Sequence, residues 1–251
     1  MGISAYRCKA SARAALNGNW QTALLVTFFS GALSIVYNLA RTEIPIDLHY
    51  LSMRNLPVMI ETALRAVRMS TWVLAGIFLL LDFLFTPVLQ LGCANYFLNR
   101  MQGCELGFRN GLFSRRHLWG KAFLLHLYTS LKIFAWALLF IIPGIIAAIR
   151  YSQATYYLAQ DPSLTVVEAV KKSKDAMKFR KWDYFRLELS FLGLSLLIAF
   201  FELLLAGMSG ILSVVASMLA VCFLGAYSNG AFAAFFLTNT SQFAQDFSSH
   251  Q

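Results

Sequence analysis

The sequence predicts an all-α, polytopic helical membrane protein with about six membrane helices, and three observations carry that prediction. Hydrophobic residues make up 58% of the 251 positions and charged residues only 13%, whereas a soluble domain is about 25% charged. The apolar residues gather into runs near the roughly 20 residues a helix needs to cross a bilayer. The excess positive charge, 21 Lys and Arg against 12 Asp and Glu for a net of +9, falls mostly in short segments between those runs. This composition excludes an ordinary water-soluble enzyme, a disordered chain and a disulfide scaffold. Cys8, Cys93, Cys104 and Cys222 show no CxxC or metal-type spacing and are expected to be reduced and unpaired.

In chain order, residues 5–17 form a short Ala-rich helix with Arg7 and Arg13 exposed, stopping at Asn17-Gly18-Asn19, residues usual at helix ends. The first span, about 20–40, carries no charge. It is too long for the 7–15-residue apolar region of a signal peptide and no A-x-A-like cleavage site follows, so it is expected to be retained. The second span, about 71–98, contains one charge, Asp82. A longer run, Ala122 to about Gln160, holds Lys132, Arg150 and a central Pro143-Gly144. The next span, about 184–206, carries Arg186, Glu188 and Glu202, and the last, about 210–237, is uncharged. Gly207-Met208-Ser209-Gly210 makes the turn between them.

The basic residues orient these spans, because cytoplasmic loops carry the excess of Lys and Arg. Arg7, Lys9 and Arg13 place the N-terminus inside. Residues 41–70, with four basic and three acidic side chains, suit the outside. Arg100, Arg109, Arg115, Arg116 and Lys121 against Glu105 mark the next segment as inside. Lys171, Lys172, Lys174, Lys178, Arg180, Lys181 and Arg186 must then also be inside, and this holds only if Ala122–Gln160 crosses twice or dips in and returns. Pro143, without a backbone N–H, and Gly144 supply the turn. The expected arrangement is a single integral membrane domain over 1–251. Its spans lie at about 122–142 and 145–160 in addition to those above, the second spanning or re-entrant, with both termini cytoplasmic.

Between the hairpin and the next span, residues 163–182 predict a basic amphipathic helix. Thr165 with Glu168 three residues later forms a capping box. Val166, Val170, Ser173 and Met177 make one face, and Lys171, Lys174, Lys178 and Lys181 another. Such a helix beside a span either lies on anionic lipid headgroups or merely fixes topology. The bilayer is the expected partner, with anionic headgroups, a membrane-protein partner or a homo-oligomer as further candidates. No fold motif accompanies the basic run, so nucleic acid is not expected.

The residues also carry a family resemblance. Leu16-Asn17-Gly18-Asn19-Trp20 is one part of it. The other is Ile142-Pro143-Gly144-Ile145, Arg150-Tyr151-Ser152, Tyr156-Tyr157-Leu158-Ala159, Glu168-Ala169, Ser173-Lys174, Met177, Lys181, Phe185 and Leu189-Ser190-Phe191. Together they resemble the DUF975 family of bacterial integral membrane proteins, most specifically between about Leu138 and Gly193. Phe179, where a glycine is common, and Leu194, where an aromatic is common, depart from the family pattern. The resemblance implies a multi-span protein of the bacterial plasma membrane and implies no activity.

No HExxH, G-x-S-x-G, Walker A or GxGxxG pattern occurs, and His49, His117, His126 and His250 are too scattered for a zinc site. No enzyme, metal or cofactor is expected. Ionisable residues inside spans are costly and usually face a partner or a wet cavity. Asp82 and Lys132 are expected near mid-membrane as one pair, and Arg150 and Glu202 near the outer ends as another. His126 and Ser130 share a helix face and extend a polar track towards Lys132. These residues read either as ion pairs locking helices together or as a transport path. Small residues Gly210, Ser213, Ser217, Ala220, Gly225, Asn229 and Ala233 give the last helix a close-packing face. The expected function is a non-enzymatic membrane interaction or envelope-homeostasis component. The alternatives are a small transporter subunit and, third, a lipid-modifying intramembrane enzyme.

Overall fold

The computed structural model describes residues 2–41, 69–205 and 210–248, with side chains described at 2–31, 76–201, 204 and 215–243. Residues 42–68 of the expected outer loop, and 206–209 of the expected turn, lie outside the described residues. Among those described, regular structure is helical throughout. The helices are α1 (Ala5–Leu16), α2 (Trp20–Arg41), α3 (Met69–Met101), α4 (Phe108–Phe113), a 3-10 turn (Arg116–Leu118), α5 (Trp119–Leu139), α6 (Ile141–Tyr151), α7 (Ala154–Gln160), α8 (Val166–Ala176), α9 (Lys181–Leu205) and α10 (Gly210–Ser248). Four helical stretches among the described residues are long and apolar enough to cross a membrane: Gly76–Met101, Phe108–Leu139, Lys181–Phe201 and Val215–Phe243. Helix α2, over the first expected span, has 22 residues.

The chain divides into two compact units, Met1–Ser30 with Pro87–Gln251, and Gly31–Thr86. The boundary falls inside α3 at Pro87, a residue with no N–H to give to the helix ladder. In the second unit, the Thr86 hydroxyl donates to Asp82 Oδ1 at 2.7 Å, one turn earlier on α3.

The first unit contains the hairpin that the charge distribution demanded. Helix α5 ends at Leu139, and Phe140 adopts an extended conformation (φ −159°, ψ 149°) before α6 begins. The reversal thus comes three residues before Pro143, which stands in the first turn of α6, where a missing N–H costs no helical bond. Gly144 faces Ala137 of α5. A Cβ there would lie 2.9 Å from both the Ala137 Cα and Cβ, so only glycine allows the two arms to approach this closely. The tip is apolar and open, with Phe140, Ile141 and Ile142 all exposed, Ile141 by 78%.

The return arm, expected over 145–160 as a span or a re-entrant helix, is divided into two helices. Helix α6 has 11 residues, about 16 Å at 1.5 Å per residue, too short to cross alone. It stops where the Ser152 hydroxyl donates back to the Ile149 carbonyl at 2.9 Å, a local bond that competes with the helical ladder. Helix α7 then resumes for seven residues. The two pieces together bring the chain back to its starting level. Lys121, in the first turn of α5, donates to the carbonyls of Pro162 at 2.8 Å and Leu164 at 3.2 Å.

The core lies at this same level. Leu91, Tyr96, Phe97, Leu112, Leu158, Met177, Leu187, Phe235 and Phe236 are fully buried side chains. Helix α1 packs into it through Cys8, Ala12 and Leu16 while Arg7 and Arg13 stay exposed as expected. Gly18 then ends the turn with φ +82°, the left-handed conformation that favours glycine. Helix α10 has 39 residues, about 58 Å and nearly twice a roughly 30 Å hydrocarbon core. Its C-terminal half is the part that meets α1 and α8. On the small-residue face of α10, Gly225 sits under Thr27 of α2 and Ala233 is buried, while Gly230, outside that face, lies under Ala12 and Leu16 of α1. The side chains at Gly210 and Ser213 lie outside those described.

Candidate functional site

Helix α8 begins as its sequence dictates. The Thr165 hydroxyl accepts the Glu168 N–H at 3.3 Å, and the Glu168 carboxylate accepts the Thr165 N–H at 2.8 Å and hydroxyl at 2.7 Å. These bonds to its charged form hold the Glu168 carboxyl below the ordinary glutamate value. Asp161 is lowered in the same way, chiefly by the Ser163 hydroxyl and then by the Ser163 N–H. The two faces also separate as expected. Val166, Val170, Ser173 and Met177 are buried, while Lys171, Lys172, Lys174 and Lys178 are exposed.

The expected 163–182 helix is, however, divided. It stops at Ala176, and a turn over 177–180 leads into α9, which starts at Lys181. Lys181 therefore belongs to the long apolar helix and is half-buried. The turn and the first residues of α9 present two aromatic side chains outward beside the lysines, Phe179 at 86% and Trp182 at 65% exposure. Lys178 Nζ lies 5.6 Å from the Phe179 ring. Exposed lysines interleaved with an exposed Trp and Phe are the combination that seats a protein at a headgroup boundary.

This face is fixed to its surroundings by contacts that no local pattern announces. Asp183, buried at the start of α9, accepts the Ile3 N–H at 2.9 Å. It also pairs with Arg186 and lies 3.7 Å from Arg180 Nη1. Lys9 donates to the Ser190 carbonyl at 3.4 Å and sits 4.4 Å over the Phe191 ring; burial lowers its ammonium from the ordinary lysine value. Burial likewise pushes the Cys8 thiol up to about 11, so it stays a protonated packing group. Arg100 closes the other end of α1, donating from Nε to the Ala15 carbonyl at 2.8 Å. Asn239 of α10 reaches the Ala176 carbonyl at the end of α8. The N-terminus, the end of α3, the start of α5, the α7–α9 segment and the C-terminal half of α10 thus share one end of the first unit. These include all the segments whose basic charge marked them as cytoplasmic.

The expected intramembrane residues are placed differently from one another. Asp82 belongs to the second unit, and Lys132 to the first. Lys132 Nζ lies 4.2 Å from the Tyr128 ring and 6.0 Å from the Tyr151 ring, a cation–π arrangement that joins the hairpin arms. His126 precedes it on α5, where its carbonyl accepts from the Thr129 hydroxyl. Of the expected Arg150–Glu202 pair, only Arg150 has a described side chain. The Arg150 carbonyl accepts from Ser173 of α8 at 2.8 Å, and Ile149 packs in one cluster with Met177, Tyr184 and Leu187. Glu202 comes about 27 Å beyond Tyr184 along α9, and its side chain lies outside those described.

Two further features escaped sequence reasoning. Gln153, at the start of α7, is wholly buried, and neither amide atom has a hydrogen-bond partner among the described residues. Gln at a helix junction gives no signal of such burial. The second is a cleft along α4. Gly92 lets the Leu112 backbone lie directly on α3, and Gly111 lies against the Tyr96 ring. Buried Asn95 donates to the Gly111 carbonyl at 3.2 Å and the Ser114 hydroxyl at 3.0 Å, and accepts from Arg115 Nε at 3.2 Å. Arg109, Asn110, Phe113, Ser114 and Arg116 line the resulting cleft of about 540 Å³. Among the described residues no group of three His, Cys, Asp or Glu side chains is placed to hold a metal.

Residues 138–242 match the model of the family described as Protein of unknown function (DUF975). The match overlaps the stretch whose motifs carried the resemblance and supports the family assignment. No curated protein and no solved structure matches the chain.

Proposed function

Taking the DUF975 assignment as premise, we propose that this is a six-helix protein of the bacterial plasma membrane with both termini in the cytoplasm. It serves as a non-enzymatic membrane interaction or envelope-homeostasis component. Its cytoplasmic end would grip anionic headgroups through Lys171, Lys172, Lys174 and Lys178, with Phe179 and Trp182 set into the interface. The observation that carries the reading is the gathering of the basic segments at one end of the first unit, while α5, α6 and α9 extend from it with large apolar side chains outward. Exposed Leu131, Phe134, Leu138, Leu196, Leu197 and Phe200 are untenable in water but natural in hydrocarbon.

Reporter fusions test the topology. A fusion after Gly144 is expected to report the outside, and fusions after Lys172 and at both termini the inside. Gly144 and Lys172 reporting the same side overturns the six-helix arrangement. A small transporter is the second reading, favoured by the unpartnered Gln153 amide two residues beyond Tyr151, itself a neighbour of Lys132. Buried polar groups without protein partners are where water or a polar substrate is held.

A further inference from the structure

We propose that the cleft lined by Arg109, Asn110, Phe113, Ser114 and Arg116 binds the phosphate of a glycerophospholipid headgroup. The lining residues include two guanidinium groups, whose planar forks match pairs of phosphate oxygens, and no carboxylate. Asn110 adds an amide donor. The Ser114 hydroxyl already accepts from Asn95, which leaves its own hydrogen to be donated into the cleft. At about 540 Å³ the space suits a headgroup with its glycerol, within the usual range of small-molecule sites.

Three aspects distinguish the cleft from a run of surface arginines. It is concave, whereas the α8 lysines project. It is anchored to α3, because the Asn95 amide holds the Gly111 carbonyl and the Ser114 hydroxyl and accepts from the third arginine, Arg115. A preorganised site loses less entropy on binding. It also has an apolar edge. Phe113 meets Phe108 edge-on at 6.2 Å, and Phe108 lies 4.9 Å from Phe29 of α2. Arginines for the phosphate and a chain of aromatics beside them fit an amphiphile better than a free anion. The cleft sits between the end of α3 and the start of α5, the level at which headgroups lie if the proposed topology holds; the inference rests on that reading.

The test titrates dioleoylphosphatidylglycerol into the full-length protein in maltoside micelles and counts bound lipid by native mass spectrometry. Arg109→Gln with Arg116→Gln is expected to weaken the first lipid-binding event at least ten-fold with an unchanged thermal midpoint. Arg7→Gln with Arg13→Gln, which removes the same charge from exposed positions on α1, should leave it within two-fold. Arg109→Lys with Arg116→Lys, which keeps the charge and removes the forks, should lose several-fold. Wild-type binding by the glutamine or the lysine pair at Arg109 and Arg116 overturns the proposal, as does an equal loss in the Arg7 and Arg13 variant, which would make the effect one of net charge alone. Glycerol 3-phosphate or inorganic phosphate displacing the lipid at equal concentration would make the ligand a soluble phosphate and overturn the lipid assignment. The topology fusions fail independently. Lipid held by the cleft with Gly144 and Lys172 on one side keeps the site and removes the six-helix reading.

Discussion

Within the first unit, the core around α1, α7, α8 and the C-terminal half of α10 contrasts with the hairpin arms that leave it. In the core, side chains such as Phe236 are shut away completely, stacked on Tyr156 at 5.5 Å and edge-on to Tyr157 at 4.9 Å. On the arms the same residue types face outward. The core is stabilised by protein packing against protein, with interdigitation that tolerates little change in volume. The arms owe their helical form to satisfied backbone hydrogen bonds, and in the proposed bilayer their side chains need only be apolar, since lipid is as good a neighbour as leucine. One composition therefore serves two different solvents.

The largest expected effect breaks or confirms that contrast directly. Phe236→Ala opens a cavity in the core and is expected to cost about 3–5 kcal/mol of stability. Leu138→Ala, at a position 71% exposed, should cost no more than about 0.5 kcal/mol. Thermal or denaturant unfolding of both variants in lipid nanodiscs decides the matter. Comparable losses at the two sites would mean that the hairpin is packed against protein, in this chain or another copy.

Gln153 sharpens the comparison from inside the core. Its amide is buried without a partner among the described residues, and such a group costs roughly 1–3 kcal/mol relative to a satisfied one. Gln153→Leu is close in size and is expected to raise stability by a similar amount, about 1–2 kcal/mol, if the amide is merely tolerated. A loss of stability would show that Gln153 holds ordered water or a polar ligand, the outcome that favours the transport reading.

What was legible from sequence follows the range of the interactions. The Thr165–Glu168 capping box, the stop at Gly18 and the apolar runs depend on residues within a turn or a span of each other, so a linear pattern records them. The hairpin was legible for a different reason: charge parity over the whole chain required a return somewhere between Ala122 and Gln160. Its detail was not. Proline drew the turn to Pro143-Gly144, yet a proline is harmless in a helix's first turn, and the reversal falls at Phe140. Asp183 shows the other limit. Its partners include Ile3, 180 residues away, and nothing in the linear pattern around Arg180 and Arg186 marks it for that bond. The cleft was hidden because Gly92, Asn95 and Gly111 become meaningful only once α4 lies on α3.

The smallest expected effect concerns the edge of the basic face, where Glu168 closes the cap of α8. Its carboxyl is held below the ordinary value by the Thr165 N–H, then by the Thr165 hydroxyl. A carboxylate lowered on folding contributes stability that is fully present above its unfolded value near 4.5 and is lost as pH falls through the lower folded value. Hydrogen exchange in the first turn of α8, corrected for intrinsic rates, should therefore be independent of pH above about 5 and rise relative to the core on further acidification. Glu168→Gln should abolish that pH dependence. Thr165→Ala, which removes the reciprocal cap, is expected to loosen the same turn by roughly 1 kcal/mol at neutral pH. Both changes should leave the hairpin arms unaffected, because the cap orders only the start of the lysine-bearing helix. If acid or Thr165→Ala instead loosened α5 and α6 to the same degree, core and arms would unfold as one cooperative unit, and the contrast between them would be one of surroundings alone.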